Sequence, residues 1–207
     1  MNELCALCRA LRDRSGPNKQ PKVENTILFE TERFVVMPCL GPLVPGHVQI
    51  VSREHHPNLA AMGKVAIAEY DQLTCSLAEK DPFAGQGILE GEHGATRDQK
   101  GGACVIHTHI HRIPGLVAYS RIFDEELPLI GSGRQLEDIA QLSSVPYILL
   151  RSGFGSEWCA YSAFGIHSQM IRRTLCDELG RIDKNWRAAL RPEWIEETVA
   201  SWQKGMM

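Results

Sequence analysis

Ala103-Cys104-Val105-Ile106-His107-Thr108-His109-Ile110-His111-Arg112-Ile113-Pro114 is the stretch on which the fold turns. Its alternation predicts a strand, and a period of two sends His107, His109 and His111 to one face and Thr108 and Ile110 to the other. One histidine on a half-exposed strand would mean little. Three of the chain's eight, at strict alternation and beside a Gly-rich loop, point to a functional surface.

Upstream of this strand, GEHGATRDQKGG (91–102) is Gly-rich, charged and unpatterned, and is expected to be a mobile loop; GQGILE (85–90) before it reads as a strand. From Asn58 the period changes. Leu59, Met62, Ala66, Tyr70, Leu73 and Leu77 recur every three to four residues, the mark of one helix face, with Asn58 as its cap and Gly63 weakening its first turn. Further back, TILFE (26–30), RFVVMP (33–38) and HVQIVS (47–52) predict an antiparallel meander. CLGPLVPGH (39–47), with two Gly and two Pro, is the connection that brings His47 to the start of the next strand, and Ser15 to Lys22 reads as a loop.

Downstream of Val117 the sequence predicts a short helix near Gln135 to Leu142 and strands at PYILLR (146–151) and WCAYSAF (158–164). A helix from about Gln169 to Leu179 is ended by Gly180, and a last one follows Pro192 with Trp194, Ile195, Thr198, Val199 and Trp202 on one stripe. Left unpacked, Trp186, Trp194 and Trp202 would expose a large apolar area, so this part is expected to fold onto the rest or onto a second subunit.

The 207 residues are 43% hydrophobic and 23% charged, ordinary for a folded chain of one generous domain or one domain with an extension. The net charge of -3 and a pI near 6.2 exclude a broad basic field, so no nucleic-acid partner is expected and any anion is bound locally. No run approaches the roughly 18 apolar residues of a membrane span, so no membrane partner is expected either. MNELCALCRALRDR (1–14) lacks the apolar core of a secretion signal. Seven cysteines, scattered but for the Cys5/Cys8 CxxC, fit reduced thiols or metal ligands, and a cytoplasmic location is expected.

GACVIHTHIHRIPG (102–115), together with GPLVPGHVQIVSREHH (41–56), resembles the histidine-triad (HIT) family over roughly residues 1 to 115. The resemblance implies an α+β fold, a mainly antiparallel sheet with packed helices, commonly dimeric. A catalytic domain would then span 1–118, with 119–207 an extension packed on it. It makes His109 the nucleophile that attacks the α-phosphorus of a nucleotide-like substrate, forming a nucleotidyl-histidine, and His111 the group that bonds the phosphate or passes a proton to the leaving group. A neutral imidazole suits the first role, and amides of the Gly-rich loop with Lys100 suit the holding of negative charge.

Cys104 stands near the place where members often carry a Ser or Thr that helps the leaving group. Arg112 follows the third His, where the family has an apolar residue; alternation directs it away from the triad, and it reads as a solvated charge. Zinc-containing relatives imply Cys5, Cys8, His55 and His107 as a full structural site, with His56 a rival for the third ligand. Glu90 and His93 resemble an acidic-His-Gly element beside the phosphate, the other reading being a polar loop entrance. HSQMIRRTL (167–175) resembles a Ser-Gln…Arg-Arg helix start in bacterial relatives with long extensions; Gln169 would reach the nucleotide there, and Arg172 and Arg173 otherwise form a solvated face. The implied activity is nucleotide hydrolysis, with nucleotidyl transfer through the same first step, or nucleotide binding with little turnover, as alternatives.

Overall fold

Short β-branched runs separated by turn residues do become an antiparallel sheet, and the histidine strand lies near its middle. The computed structural model describes residues 5–12 and 22–205, so the loop read at Ser15 to Lys22 lies, but for Lys22, outside the described residues. The elements are α1 (Ala6–Arg12), β1 (Phe29–Glu30), β2 (Phe34–Pro38), β3 (Val48–Ser52), α2 (Lys64–Lys80), β4 (Ile88–Gly94), β5 (His109–Pro114), β6 (Leu129–Gly133), β7 (Tyr147–Arg151), β8 (Trp158–Ser162), α3 (Met170–Glu178) and α4 (Pro192–Gly205). One eight-stranded sheet runs in the order β1-β2-β3-β5-β4-β7-β8-β6, every pair antiparallel. Residues after 119 continue this sheet: β7 pairs with β4 from Glu90↔Arg151 to Gly94↔Tyr147.

Each face is covered differently. On one, Phe34, Val36, Ile50, Ile110, Tyr147 and Leu149 pack with Ile67, Tyr70 and Leu77 of α2 and Val199 and Trp202 of α4. On the other, α3 covers β4, β7 and β8 through Ile171 and Leu175, while Leu7 and Leu11 of α1 lie against Val35, Met37 and Val51. The triad side of β5 emerges between α1 and α3. The end of α3 follows the expected chemistry: Gly180 takes φ 63°, its N–H donates to Asp177 O, and Arg181 N–H donates to Cys176 O, a complete Schellman motif.

The structure differs from the sequence reading at several boundaries, β1 being only Phe29–Glu30 and β4 beginning at Ile88. The helix expected from Asn58 is split: Asn58 Oδ1 accepts from Ala61 N–H to cap a 3-10 turn, and Gly63, at φ 81°, turns the chain into α2. The strand expected over 103–114 begins only at His109, because the Thr108 amide and hydroxyl both donate to His56 O, at 2.7 and 3.2 Å. GEHG, read as a loop, is the end of β4, held between β5 and β7. The sheet edge β6 was not expected; LIGSG has no alternation, and Leu129 and Ile130 are exposed.

Arg112 is not a solvated charge. It is 2% exposed, with Nε donating to Asp81 Oδ2 at 3.0 Å and Nη1 to Glu90 Oε1 at 2.8 Å. Arg151 on β7 donates to Glu90 Oε2 at 2.6 Å, to Asp71 at 2.7 Å and to Thr74 at 2.6 Å, and Tyr70 Oη–H completes the cluster on Glu90. Burial alone would raise the Glu90 pKa, yet Arg151 and Arg112 hold it below the ordinary value. Removing one partner leaves the other's charge buried. Arg112→Ala is therefore expected to lower unfolding stability by about 3–5 kcal/mol in urea titrations.

Glu92, next along the same face, has no cation among the described residues. Its Oε1 accepts from Leu59 N–H at 2.9 Å and its Oε2 from Tyr147 Oη–H at 2.6 Å, and burial pushes its pKa up to about 7. A carboxyl group whose folded pKa lies above its unfolded value binds more protons when folded, so stability falls as pH rises from about 4.5 to about 7. Chemical denaturation of wild type and Glu92→Gln across that window should show a decline of up to about 3 kcal/mol in the wild type that the variant lacks.

Candidate functional site

β5 carries three groups of atoms to three places. Ile110 and Arg112 point into the core on the α2 side, His109, His111 and Ile113 line a cavity of about 250 Å3, and His107, just before the strand, meets the CxxC. The cavity is walled by Leu7 of α1, Gln49 of β3, His93 of β4, the Leu40–Leu43 connection, Gly102 to Val105, and Gln169, Ile171, Arg172, Trp186 and Arg187 from the chain's second half. Among the described residues no Asp, Glu or Lys lines it.

The imidazole protons can be placed, because carbonyls only accept and amides only donate. His109 Nδ1–H donates to His107 O at 2.6 Å, which leaves its Nε2 lone pair for the cavity. Burial lowers the His109 pKa, opposed by that hydrogen bond, so the ring is neutral near pH 7. Leu43 N–H donates to His47 Nδ1 at 3.0 Å; the neutral His47 then carries its proton on Nε2 and donates to His111 Nδ1, also at 3.0 Å. His111 is thereby obliged to carry its own proton on Nε2. One ring offers a lone pair and its neighbour, with centroids 5.4 Å apart, offers an N–H.

His47 is the functional residue the sequence reading missed. It was placed at the head of β3 but given no role; its signal was a buried histidine behind a Gly-Pro-rich connection. Burial, then the nearby Arg172, lower its pKa to about 3. Cys39, His47 and His111 also converge closely enough to suggest a metal, but the proton between His47 Nε2 and His111 Nδ1 occupies the space an ion would need, and Leu43 N–H holds His47 in that tautomer.

The CxxC meets the histidines as expected. Cys5 Sγ lies 3.4 Å and Cys8 Sγ 3.5 Å from His107 Nδ1, and Cys8 Sγ is 3.5 Å from His55 Nδ1, all four ligand atoms lying within 4.8 Å of one another. A tetrahedral ion with metal–sulfur bonds near 2.3 Å and metal–nitrogen bonds near 2.0–2.1 Å has S···N edges of about 3.5 Å, so the four residues fit one metal ion. His107 Nε2–H donates to Ser52 O at 2.7 Å, which turns the Nδ1 lone pair toward the thiols. His56 faces Glu54 instead, at 3.6 Å, and is not part of the group.

The remaining expected residues divide. His93 is at the cavity, its Nδ1–H donating to Gly101 O and its Nε2 accepting from Ile171 N–H, so it ties the Gly-rich loop to α3. Gln169 lines the cavity at φ 65°, its side-chain carbonyl accepting from Trp186 N–H. Cys104 lines it too, with Ser168 Oγ 3.1 Å from its sulfur. Glu90 is a correction: β4 alternation puts it on the opposite face from His93, among Arg112, Arg151 and Tyr70. Lys100 is a second; its side chain is exposed and absent from the cavity wall, the loop meeting the site through backbone instead. Arg172, read as surface, is buried, and only Arg173 of the pair is exposed.

No family model matches the chain, and no curated protein does. Solved structures do match. A HIT family hydrolase from Clostridium thermocellum is 24% identical with a TM-score of 0.42, over 56% of this chain and 94% of that one. A histidine triad protein from Clostridium difficile is 19% identical with a TM-score of 0.43, over 56% and 94%. A Hit-like protein from Bartonella henselae is 18% identical with a TM-score of 0.41, over 68% and 95%. The solved structures similar to this chain thus include histidine-triad proteins.

Proposed function

We propose that the chain is a histidine-triad nucleotide hydrolase in which His109 attacks the α-phosphorus and residues 5, 8, 55 and 107 hold a structural zinc. The observation that carries this reading is the pair of fixed tautomers: a lone pair on His109 Nε2 beside an N–H on His111 Nε2, in a cavity lined, among the described residues, by two arginines and no carboxylate. An anion enters such a cavity without like-charge repulsion, and the neutral imidazole is a nucleophile toward phosphorus near pH 7. Attack forms an N–P bond and breaks the bond to the leaving oxygen, which takes the electron pair while His111 Nε2–H hydrogen-bonds it. Water then attacks the nucleotidyl-histidine: its oxygen bonds to phosphorus, the N–P electrons return to His109 Nε2, and the water's proton is released to solvent as the monophosphate leaves.

Residues 1–118 supply the triad and the metal ligands in this reading, and 119–207 supply the far wall of the cavity. A two-sulfur, two-nitrogen set suits zinc and leaves no open position, so the ion braces His107 and the start of β5 and takes no part in the chemistry. Elemental analysis should find about one zinc per chain. Cys8→Ser should lose the metal and lower the thermal midpoint; a fully folded, metal-loaded Cys8→Ser protein with selectively lost turnover would contradict a structural role.

His109→Ala should keep substrate binding nearly unchanged and lower kcat by about 10^3-fold or more on dinucleoside polyphosphates or adenylyl-amidates, because only the covalent route is removed. Wild type quenched mildly during turnover should carry an acid-labile nucleotidyl group on His109. Near-normal turnover in His109→Ala with loss in His111→Ala would move the nucleophile to His111. Turnover on no nucleotide tested, with binding intact, would leave a nucleotide-binding module.

A further inference from the structure

Two neutral imidazoles joined by one hydrogen bond can carry it in either direction. With its proton on Nε2, His47 donates to His111 Nδ1. With that proton on Nδ1 instead, His47 Nε2 accepts from His111 Nδ1–H, and His111 Nε2 turns a lone pair outward where the first arrangement has an N–H. Desolvation lowers the pKa of both rings, so neither carries a charge near pH 7 that would favour one arrangement. The Leu43 N–H selects the direction: it stands 3.0 Å from His47 Nδ1 and can only donate.

The backbone that carries Leu43 is held from outside the cavity. Arg172 Nη1 donates to Gly41 O at 2.6 Å, and Arg181 Nη1 donates to Leu43 O. Both arginines end on one residue. The Asp183 carbonyl accepts from Arg172 Nη2 at 3.0 Å, and the Asp183 carboxylate accepts from Arg181 Nε at 2.9 Å on Oδ1 and from Arg181 Nη2 on Oδ2, where Arg191 Nη2 adds a third donor at 3.0 Å. A carboxylate that takes two N–H groups of one guanidinium fixes its plane, so the remaining Nη1 has one direction to point. The main chain of Arg181 is fixed too, because its N–H closes the end of α3 on Cys176 O at 2.7 Å. Hydrogen bonds from Arg181 hold the Asp183 carboxyl well below the usual carboxylate range, so the fork is closed at neutral pH. Arg181 and Asp183 are only partly exposed, and neither is among the described residues that line the cavity.

We propose that Asp183 is a positioning residue for the histidine pair: through Arg181 and Arg172 it fixes the backbone from Gly41 to Leu43, and that backbone decides which nitrogen of His111 carries the proton. The inference rests on the reading of His111 Nε2–H as the donor to the leaving oxygen. No bond forms or breaks at Asp183. Opening the fork frees the Leu43 N–H to leave His47 Nδ1, and the reversed arrangement then becomes populated. In that arrangement a lone pair faces the leaving oxygen, which repels the charge that develops there. A clamp that served stability alone would lower the unfolding midpoint when removed and leave the tautomers as they were.

Imidazole nitrogen–proton correlation spectra near pH 7, with steady-state kinetics on a dinucleoside polyphosphate, test this on the full-length protein. Wild type should show His47 and His111 each protonated on Nε2. Asp183→Asn keeps the carbonyl for Arg172 and nearly the same side-chain volume but weakens the fork; it should add a second set of His111 signals with the proton on Nδ1. Its kcat should fall about tenfold, with KM changed less than about threefold. Arg181→Met should do the same, and Arg181→Lys, which keeps a donor for Leu43 O, should restore part of both. The Arg181 variants give the answer if Asp183→Asn does not fold, and the wild-type spectrum needs no variant. His111 protonated on Nδ1 in wild type, or on Nε2 alone in both Asp183→Asn and Arg181→Met, overturns the proposal whatever happens to kcat. The spectra do not depend on turnover, so a protein that acts on no nucleotide but shows the shift keeps the clamp and loses the catalytic reading of His111.

Discussion

The backbone N–H of Leu43 can only donate, and the direction of that one hydrogen bond sets the protons of the site. It makes His47 Nδ1 an acceptor, so His47 Nε2 donates to His111, so His111 turns an N–H outward. Leu43 is held in turn. It is buried in the apolar cluster under α3, and its carbonyl accepts from Arg181, so the chain's second half fixes the connection from which the relay begins. Gly41 in the same connection sits at φ 70°, and a Cβ there would lie 2.8 Å from Trp186 Cβ. That close approach, at a backbone angle few residues adopt, is why the connection between β2 and β3 carries glycine there.

β5 transmits this order because a strand cannot move one side chain without moving its neighbours. Val51 pairs with His109 on one side, and Gly91 with His111 on the other. The opposite face of the strand is pinned by Ile110 in the α2 core and Arg112 in the ion cluster. The cluster links α2, β4, β5 and β7 through a charge network that tolerates little displacement, since a shift would strand a carboxylate in a low dielectric. The imidazoles are therefore positioned by charges on the far side of the sheet from the cavity.

What the sequence revealed and what it hid divides along these lines. Period and punctuation were enough for β2, β3, β7, β8, α2 and α4; the CxxC was legible as a pair of candidate ligands, and the two histidines that complete the group came from the family resemblance, with His56 left as a rival to His55. Partners were not legible. Arg112 read as solvated since nothing in HIHRIP announces Asp81 and Glu90, and Glu90 read as a phosphate neighbour since LEGEHG does not show on which face of β4 it falls. The break before His109 depended on His56 offering its carbonyl to Thr108, a contact 52 residues away in sequence. Arg172 belongs with these: charge and helical spacing describe a surface residue, and only the Gly41 and Asp183 carbonyls reveal a buried one.

A buried arginine needs a reason to stay charged beside three neutral histidines. Burial lowers the Arg172 pKa, and the Asp183 carboxylate that opposes this is committed first to Arg181 and next to Arg191, with Arg172 the most distant of the three at 3.7 Å. The imbalance is greatest on the cavity side, where Arg172 stands, and smallest toward solvent, where Arg191 and Arg181 lie near the Trp194 ring. With Arg187 beside it and a remaining described lining of neutral imidazoles, Gln, Cys and apolar side chains, Arg172 gives the cavity wall a positive field that favours an anion over a cation.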